Sequence, residues 1–132
     1  MDVVCPLPLF FDRRSETERQ KQLTEKTEEA LHSDRPILCA RCRNPVTHHS
    51  ERIVVQGSHE HNFTNPAGIT FQIGCFREAP GCVGSGSGTM EYTWFVGYEW
   101  RIAACTKCQT HLGWQFTSQT DSFFGLILNR LM

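Results

Sequence analysis

Two kinds of periodicity divide the chain. Over residues 13–32 charged and amide side chains dominate and Gly and Pro are absent, while Leu23, Thr27, Ala30 and Leu31 recur at helical spacing. Ser15 and Glu18 stand at capping-box spacing. The pattern predicts a helix over 13–32, with a narrow apolar stripe, inside an N-terminal segment 1–36. From Ile37 onward the period changes. Short β-branched and aromatic runs alternate with Gly, Pro, Asn and Ser, which predicts strands at 52–56, 69–73, 91–95, 100–104 and 112–117. A last run, 123–131, is apolar at successive positions, the pattern of a strand covered on both faces. Gly84-Ser-Gly-Ser-Gly88 reads as a mobile loop. The expectation is a mostly β domain over 37–132 behind one N-terminal helix.

Composition narrows the class of partner. The chain has 132 residues, the size of one domain. A net charge of −1 offers no basic surface for nucleic acid and little attraction to an anionic membrane. No apolar run approaches the roughly 20 residues that span a bilayer. The apolar opening, Met1 to Phe11, carries Asp2 where a signal peptide has basic residues, and Pro6 and Pro8 interrupt it. It reads as an ordinary terminus.

Seven cysteines are many for this length, and an odd number cannot all pair within the chain. Cys39-Ala-Arg-Cys42 and Cys105-Thr-Lys-Cys108 are two CxxC pairs. Two intervening residues let the chain turn back, so that both sulfurs of a pair bind one ion. Two such pairs make a closed tetrahedral shell suited to structural Zn²⁺. A closed shell has no open position for a catalytic water. Thiolate ligands also point to a reducing compartment and a cytoplasmic protein. Cys5, Cys75 and Cys82 read as buried apolar cysteines, with a Cys75–Cys82 disulfide open to the chain only in an oxidising setting. The paired histidines His48-His49 and His59-Glu-His61 read as surface or turn residues.

All three tryptophans crowd around the second CxxC pair: Trp94-Phe-Val-Gly-Tyr-Glu-Trp100 before it and His111-Leu-Gly-Trp114-Gln-Phe116 after it. Gly97 lets the chain fold back and bring Trp94 and Trp100 face to face. Trp114 and Phe116 share one face of a strand by period-2 alternation. Three indoles and a phenyl can wall a small cage on a metal-braced support, although a packed core is the competing reading of the same residues.

These motifs, together with Asn65-Pro-Ala-Gly68, Phe123-Phe-Gly-Leu126 and the paired CxxC, resemble the CULT family, the thalidomide-binding domains of cereblons. The resemblance covers residues 37–131 and is nearest to the stand-alone bacterial members, whose pattern His59-Glu-His61 also follows. It implies a β-tent: two antiparallel sheets meeting near a four-cysteine zinc site. It implies a pocket for cyclic imides such as glutarimides, with uridine among the family's ligands. By motif, Trp94, Trp100 and Trp114 become the cage walls and Phe116 an aromatic neighbour. Asn65 and Pro66 fall in the loop over the ligand, and Phe71 lies near it. The backbone at Tyr92 and Trp94 corresponds to the groups that bond the imide. Ala67 and Tyr92 stand where eukaryotic cereblons have His, so an imidazole able to bond one imide carbonyl is missing. The region that makes cereblon a ubiquitin-ligase adaptor has no counterpart, so that role does not carry over.

The expected function is therefore a non-enzymatic binding module for small cyclic imides or cyclic-imide peptide termini. Three alternatives compete with it. A methyl-ammonium cage would use cation–π attraction, with Glu91 or Glu99 adding charge. A methionine-sulfoxide-reductase-like enzyme would need Cys75 or Cys82 as its thiol. A purely structural interaction module would use neither.

Overall fold

The computed structural model of the chain describes residues 34–132. The helix expected at 13–32, and Cys5, lie outside them. The described span is mostly β. β1 (Pro36–Leu38) and β2 (Pro45–His48) pair antiparallel as a two-stranded sheet. β3 (Glu60–Thr64), β4 (Thr70–Phe76), β5 (Cys82–Gly84), β6 (Glu99–Cys105), β7 (His111–Thr117) and β8 (Ser122–Ile127) form an antiparallel sheet in the order β3-β4-β8-β7-β6-β5. The two antiparallel sheets agree with the expected architecture.

Side-chain alternation gives the larger sheet two different faces. On β8, Phe124 and Leu126 join a cluster with Ile37 and Val46 of the small sheet, Phe76, Ala103, Leu112 and the cysteines. Phe123 and Ile127 point the other way, into a cluster with Ile73, Cys75, Phe95, Trp114 and Phe116. Both clusters exclude water, so β8 must be apolar at every position, and it is buried from Phe123 to Ile127. Its place between β4 and β7 supplies the ladder that its backbone needs.

β7 and β8 approach closely because Gly113 has no side chain. A Cβ there would lie 2.1 Å from the Gly125 carbonyl oxygen, far inside contact distance. The backbone cannot yield locally, because Gly113 pairs with Leu126 and Trp114 with Gly125 in one continuous register.

Two expected strands are not strands. Residues 52–56 make only the isolated bridges Arg52 to Phe76 and Val55 to Ser58. A turn at Gln56 (φ 50°) and Gly57 (φ 87°) ends the run, although Ile53 and Val55 still pack on the aromatic cluster. Residues 91–95 lie in consecutive turns, with Tyr92 at φ 56° and Gly97 at φ 89°. Trp94 and Phe95 are taken up by packing onto the sheet while Tyr92 stays exposed, so a strand-like composition forms no ladder. The last expected strand stops at Ile127, where Leu128–Arg130 forms a 3₁₀ turn. The short strands β1, β2, β3 and β5 gave no clear signal: two begin at proline, β3 is largely polar, and β5 runs into the glycine-rich stretch.

Gly113→Ala should lower the unfolding free energy by about 3 kcal/mol, at the upper end of overpacking costs. Urea denaturation of the metal-loaded protein measures it. An unchanged midpoint would show that the β7–β8 contact is not tight.

Candidate metal centre and aromatic cavity

The two CxxC segments fold as matching knuckles. In the first, the Arg43 N–H donates to the Cys39 carbonyl at 2.7 Å and the Cys39 N–H to the Asn44 carbonyl at 2.9 Å. In the second, the Gln109 N–H donates to the Cys105 carbonyl and the Cys105 N–H to the Thr110 carbonyl, both at 2.9 Å. Arg43 and Gln109 each sit at φ 65°, the left-handed step that turns the chain out of the knuckle.

The knuckles face each other. The Sγ atoms of Cys39 and Cys108 are 3.7 Å apart and those of Cys42 and Cys105 3.6 Å apart, and all four lie within 4.8 Å of one another. Zinc–sulfur bonds of about 2.3 Å in a tetrahedron place sulfurs about 3.8 Å apart, so this shell fits one such ion. Surrounding donors favour thiolates. The Thr110 hydroxyl, 3.0 Å from Cys108 Sγ, is the main cause that brings the Cys108 thiol down to about 6. Burial works against ionisation of Cys105, but the backbone N–H groups of Cys108 and Lys107 outweigh it and lower its pKa. The Asn44 amide also donates to Cys105 Sγ at 3.7 Å. Burial holds Cys42 up, to about 11. A cation among four sulfurs reverses that penalty by stabilising every thiolate. Cys75 and Cys82 are free, buried and not paired with each other, in separate clusters. Burial pushes both thiols up to about 12.

On the opposite face of the sheet lies a cavity of about 440 Å³. Asn65, Pro66, Phe71, Tyr92, Trp94, Trp100, Trp114 and Phe116 all line it. Its floor comes from β6 and β7, where Trp100 pairs with Phe116 and Ile102 with Trp114. Phe71 of β4 meets Trp114 edge-on at 5.2 Å. Asn65 shapes the β3–β4 turn, its side-chain oxygen accepting the Ile69 N–H at 2.9 Å.

The remaining wall is the loop 91–98, and it is held at several points. Phe95 is fully buried and packs edge-on against Phe63, Phe116 and Phe123. The Thr93 hydroxyl donates to the Tyr98 carbonyl at 2.7 Å. The Tyr98 hydroxyl donates to Asp121 at 2.8 Å, and Arg77 donates to the other oxygen of Asp121 and to the Ser122 carbonyl. That bond to Tyr98 is the main cause that lowers the Asp121 pKa. The Trp100 indole N–H donates to the Glu91 carbonyl at 2.7 Å and closes the other end of the loop.

Trp94 meets Trp114 edge-on at 4.7 Å and stacks its other face on Phe63 at 5.0 Å. The indole facing Trp94 is thus Trp114 and not Trp100, because the loop carries Trp94 over β7 and not back along β6. Among the described residues, the Tyr92 carbonyl and the Trp94 N–H have no hydrogen-bond partner. An acceptor and a donor that no described residue bonds therefore lie on one short segment of the wall. Tyr92 takes a left-handed φ that a bulky residue rarely adopts, at a cost of order 1–3 kcal/mol.

Glu91, named from the sequence as a charge for an ammonium ligand, also lines the cavity, as do Ile102 and His111, which sequence reasoning did not single out. Ile102 was legible, since it alternates with Trp100. His111 was hidden by a bulge. β6 and β7 shift register between Ala103 and Ala104, so that Ala103 opposes Gly113 and Ala104 opposes His111. Leu112 is the extra residue, and the bulge returns His111 to the face of Trp114, which it meets edge-on at 4.9 Å. The His111 Nε2–H donates to the Gly113 carbonyl at 2.9 Å. Burial, with the Arg130 charge nearby, lowers the His111 pKa against that bond.

The site therefore combines a closed four-sulfur centre with a preformed aromatic cavity, the make-up of a binding domain. No protein-family model matches the chain. Among curated proteins it is similar to cereblons. That of Gallus gallus is 33% identical over 75 residues, covering 53% of this chain and 17% of that protein. That of Drosophila willistoni is 29% identical over 105 residues, covering 73% and 17%, and that of Drosophila erecta 26% over 143 residues, covering 92% and 24%. The chain thus spans about a fifth of the length of these relatives. No helix among the described residues is long and apolar enough to cross a membrane.

Two outcomes test this description. Cys105→Ser should lose the bound metal and lower the thermal midpoint by roughly 15 °C or more, as loss of several kcal/mol does in a domain of this size. Metal analysis beside calorimetry decides it, and a metal-free variant with an unchanged midpoint would end the structural role. Asp121→Ala should raise amide exchange in residues 92–98 well above any change in β8. Equal changes in both would show that Asp121 does not anchor the loop.

Proposed function

We propose that the chain is a CULT-type binding domain that captures a cyclic imide in the aromatic cavity, with Zn²⁺ as a structural ion and no catalytic role. The observation that carries this reading is the meeting of three tryptophans, Phe71 and Phe116 around one cavity of a cereblon-like chain, beside a carbonyl and an N–H that no described residue bonds. An imide presents an N–H between two carbonyl oxygens. Its N–H suits the Tyr92 carbonyl and one of its oxygens suits the Trp94 N–H. The ring's methylenes need flat, dry walls, which indoles supply with little rotamer entropy to lose. Zn²⁺ supplies cross-linking of the two knuckles by Cys39, Cys42, Cys105 and Cys108, and no step at the cavity passes through it. The four-sulfur set and its spacing favour that ion.

The ligands in view are glutarimides, uridine and cyclic imides at damaged protein C-termini. A bacterial, cytoplasmic protein is the setting that the resemblance favours. Buried thiols at Cys75 and Cys82, both held far above neutrality, weigh against the reductase alternative. One observation favours a second reading: Glu91, an acidic residue, is among those that line the aromatic cavity, and a methyl-ammonium ligand would call for a nearby carboxylate.

Tryptophan fluorescence titrations with glutarimide and with trimethyl-lysine separate the two. Glutarimide should bind with a dissociation constant near micromolar, about −8 kcal/mol for a ring of about eight heavy atoms. Trp100→Ala should weaken it by about 30-fold or more, the effect of removing an aromatic anchor, with metal content unchanged. Binding of trimethyl-lysine alone would replace the imide reading. An unfolded Trp100→Ala protein would make Trp100 a core residue instead.

A further inference from the structure

Arg130 touches the two sites from different ends. Its backbone carbonyl accepts the N–H of Ala40, inside the first knuckle, at 3.0 Å. Its neighbour Leu131 bridges Cys39, and Met132 and Leu38 exchange two hydrogen bonds of 2.8 Å. The Arg130 side chain runs the other way. Its Nη1 donates to the His111 carbonyl at 2.7 Å, and its guanidinium lies over the Phe71 ring at 5.8 Å. His111 and Phe71 both line the cavity. His111 is also tied to the second knuckle along the chain, since Thr110 before it bonds Cys108 Sγ.

We propose that Arg130 is a positioning residue that transmits the geometry of the four-sulfur centre to the cavity wall at His111 and Phe71. The spacing of the knuckles depends on what the sulfurs hold. Side-chain contact between them otherwise includes Asn44, with bonds to Thr106 at 3.3 Å and Cys105 at 3.7 Å. A change in that spacing moves the Arg130 backbone with the first knuckle and His111 with the second. The guanidinium, fixed at one end and bonded to His111 at the other, must carry the difference into the wall. His111 meets Trp114 edge-on, so the displacement reaches the floor as well. Such coupling is reciprocal: an occupant that prefers one wall geometry must also favour one metal geometry.

Exchange of Zn²⁺ for the larger Cd²⁺ widens the sulfur shell without emptying it, so the test avoids an unfolded apoprotein. Two-dimensional NMR of the two loaded forms should show shift changes at the knuckles, at His111 beside the second knuckle, and at the distal Phe71 ring. In Arg130→Ala the changes at the knuckles and His111 should persist while the distal change at Phe71 vanishes. In Arg130→Lys, which keeps the charge and one donor but not the planar fork, the distal changes should fall to about half. This variant carries the test if the alanine form does not fold. Distal changes absent from the wild type, or undiminished in the folded variants, would overturn the proposal. The link acts on the wall and holds for any occupant, but glutarimide gives a second readout that rests on the imide reading. Its dissociation constant should differ about fivefold between the Zn²⁺ and Cd²⁺ forms of the wild type and not at all in Arg130→Ala. Failure of glutarimide to bind any form would sink the imide reading and leave the NMR comparison to decide on Arg130.

Discussion

Four sulfurs that come from two distant segments of the described chain converge within 4.8 Å. The pairs that meet are 69 and 63 residues apart in sequence. Bringing such distant segments together costs chain entropy, and four thiolates at this distance repel one another. A cation is the simple answer to both. Its binding energy becomes folding energy, because no comparable shell exists in the unfolded chain. The small sheet, the β6–β7 hairpin and the C-terminal turn all meet at this point. The strand order of the larger sheet then places β7 and β8 directly behind it.

The walls of the cavity on the far side brace one another. Trp94 is held between Phe63 and Trp114, and Trp100 is hydrogen-bonded to the loop it closes. Phe95 locks the loop from inside, while Tyr98, Asp121 and Arg77 lock it from outside. Any small occupant offers few contacts, so little binding energy is left over to order a floppy site. Rigidity of the walls is therefore as important as their chemistry. The left-handed backbone at Tyr92 fits this picture, since hydrogen bonds on either side of it, from Thr93 N–H to the Met90 carbonyl and from the Trp100 indole to the Glu91 carbonyl, hold the turn.

Much of this was legible in the sequence, and the rest was hidden for identifiable reasons. The CxxC pairs declared themselves because metal ligation needs fixed local spacing. The double-sided burial of β8 showed as an unbroken apolar run. Residues 69–73, 100–104 and 112–117 read as strands because alternation survives there. Residues 91–95 misled, because an aromatic-rich loop that packs on a sheet has the composition of a strand. His111 was invisible as a wall residue because one bulge at Leu112 inverts the alternation on which the reading relied. Arg130 had no local signature at all, since its significance lies in contacts with Ala40, His111 and Phe71, none of them near it in sequence.

The two faces of the larger sheet have a consequence for how such a domain can change over time. Alternate positions of β4, β6 and β8 report to different clusters: one holds the chain together and the other shapes what it recognises. Substitutions at Phe71, Ile102 or Tyr92 can thus explore new ligands while Phe76, Ala103 and Leu126 keep the scaffold intact. Adaptation of taste and preservation of fold become nearly separate problems, divided by a single layer of backbone. Gly113 and Gly125 belong to that layer, and they leave it little room to drift.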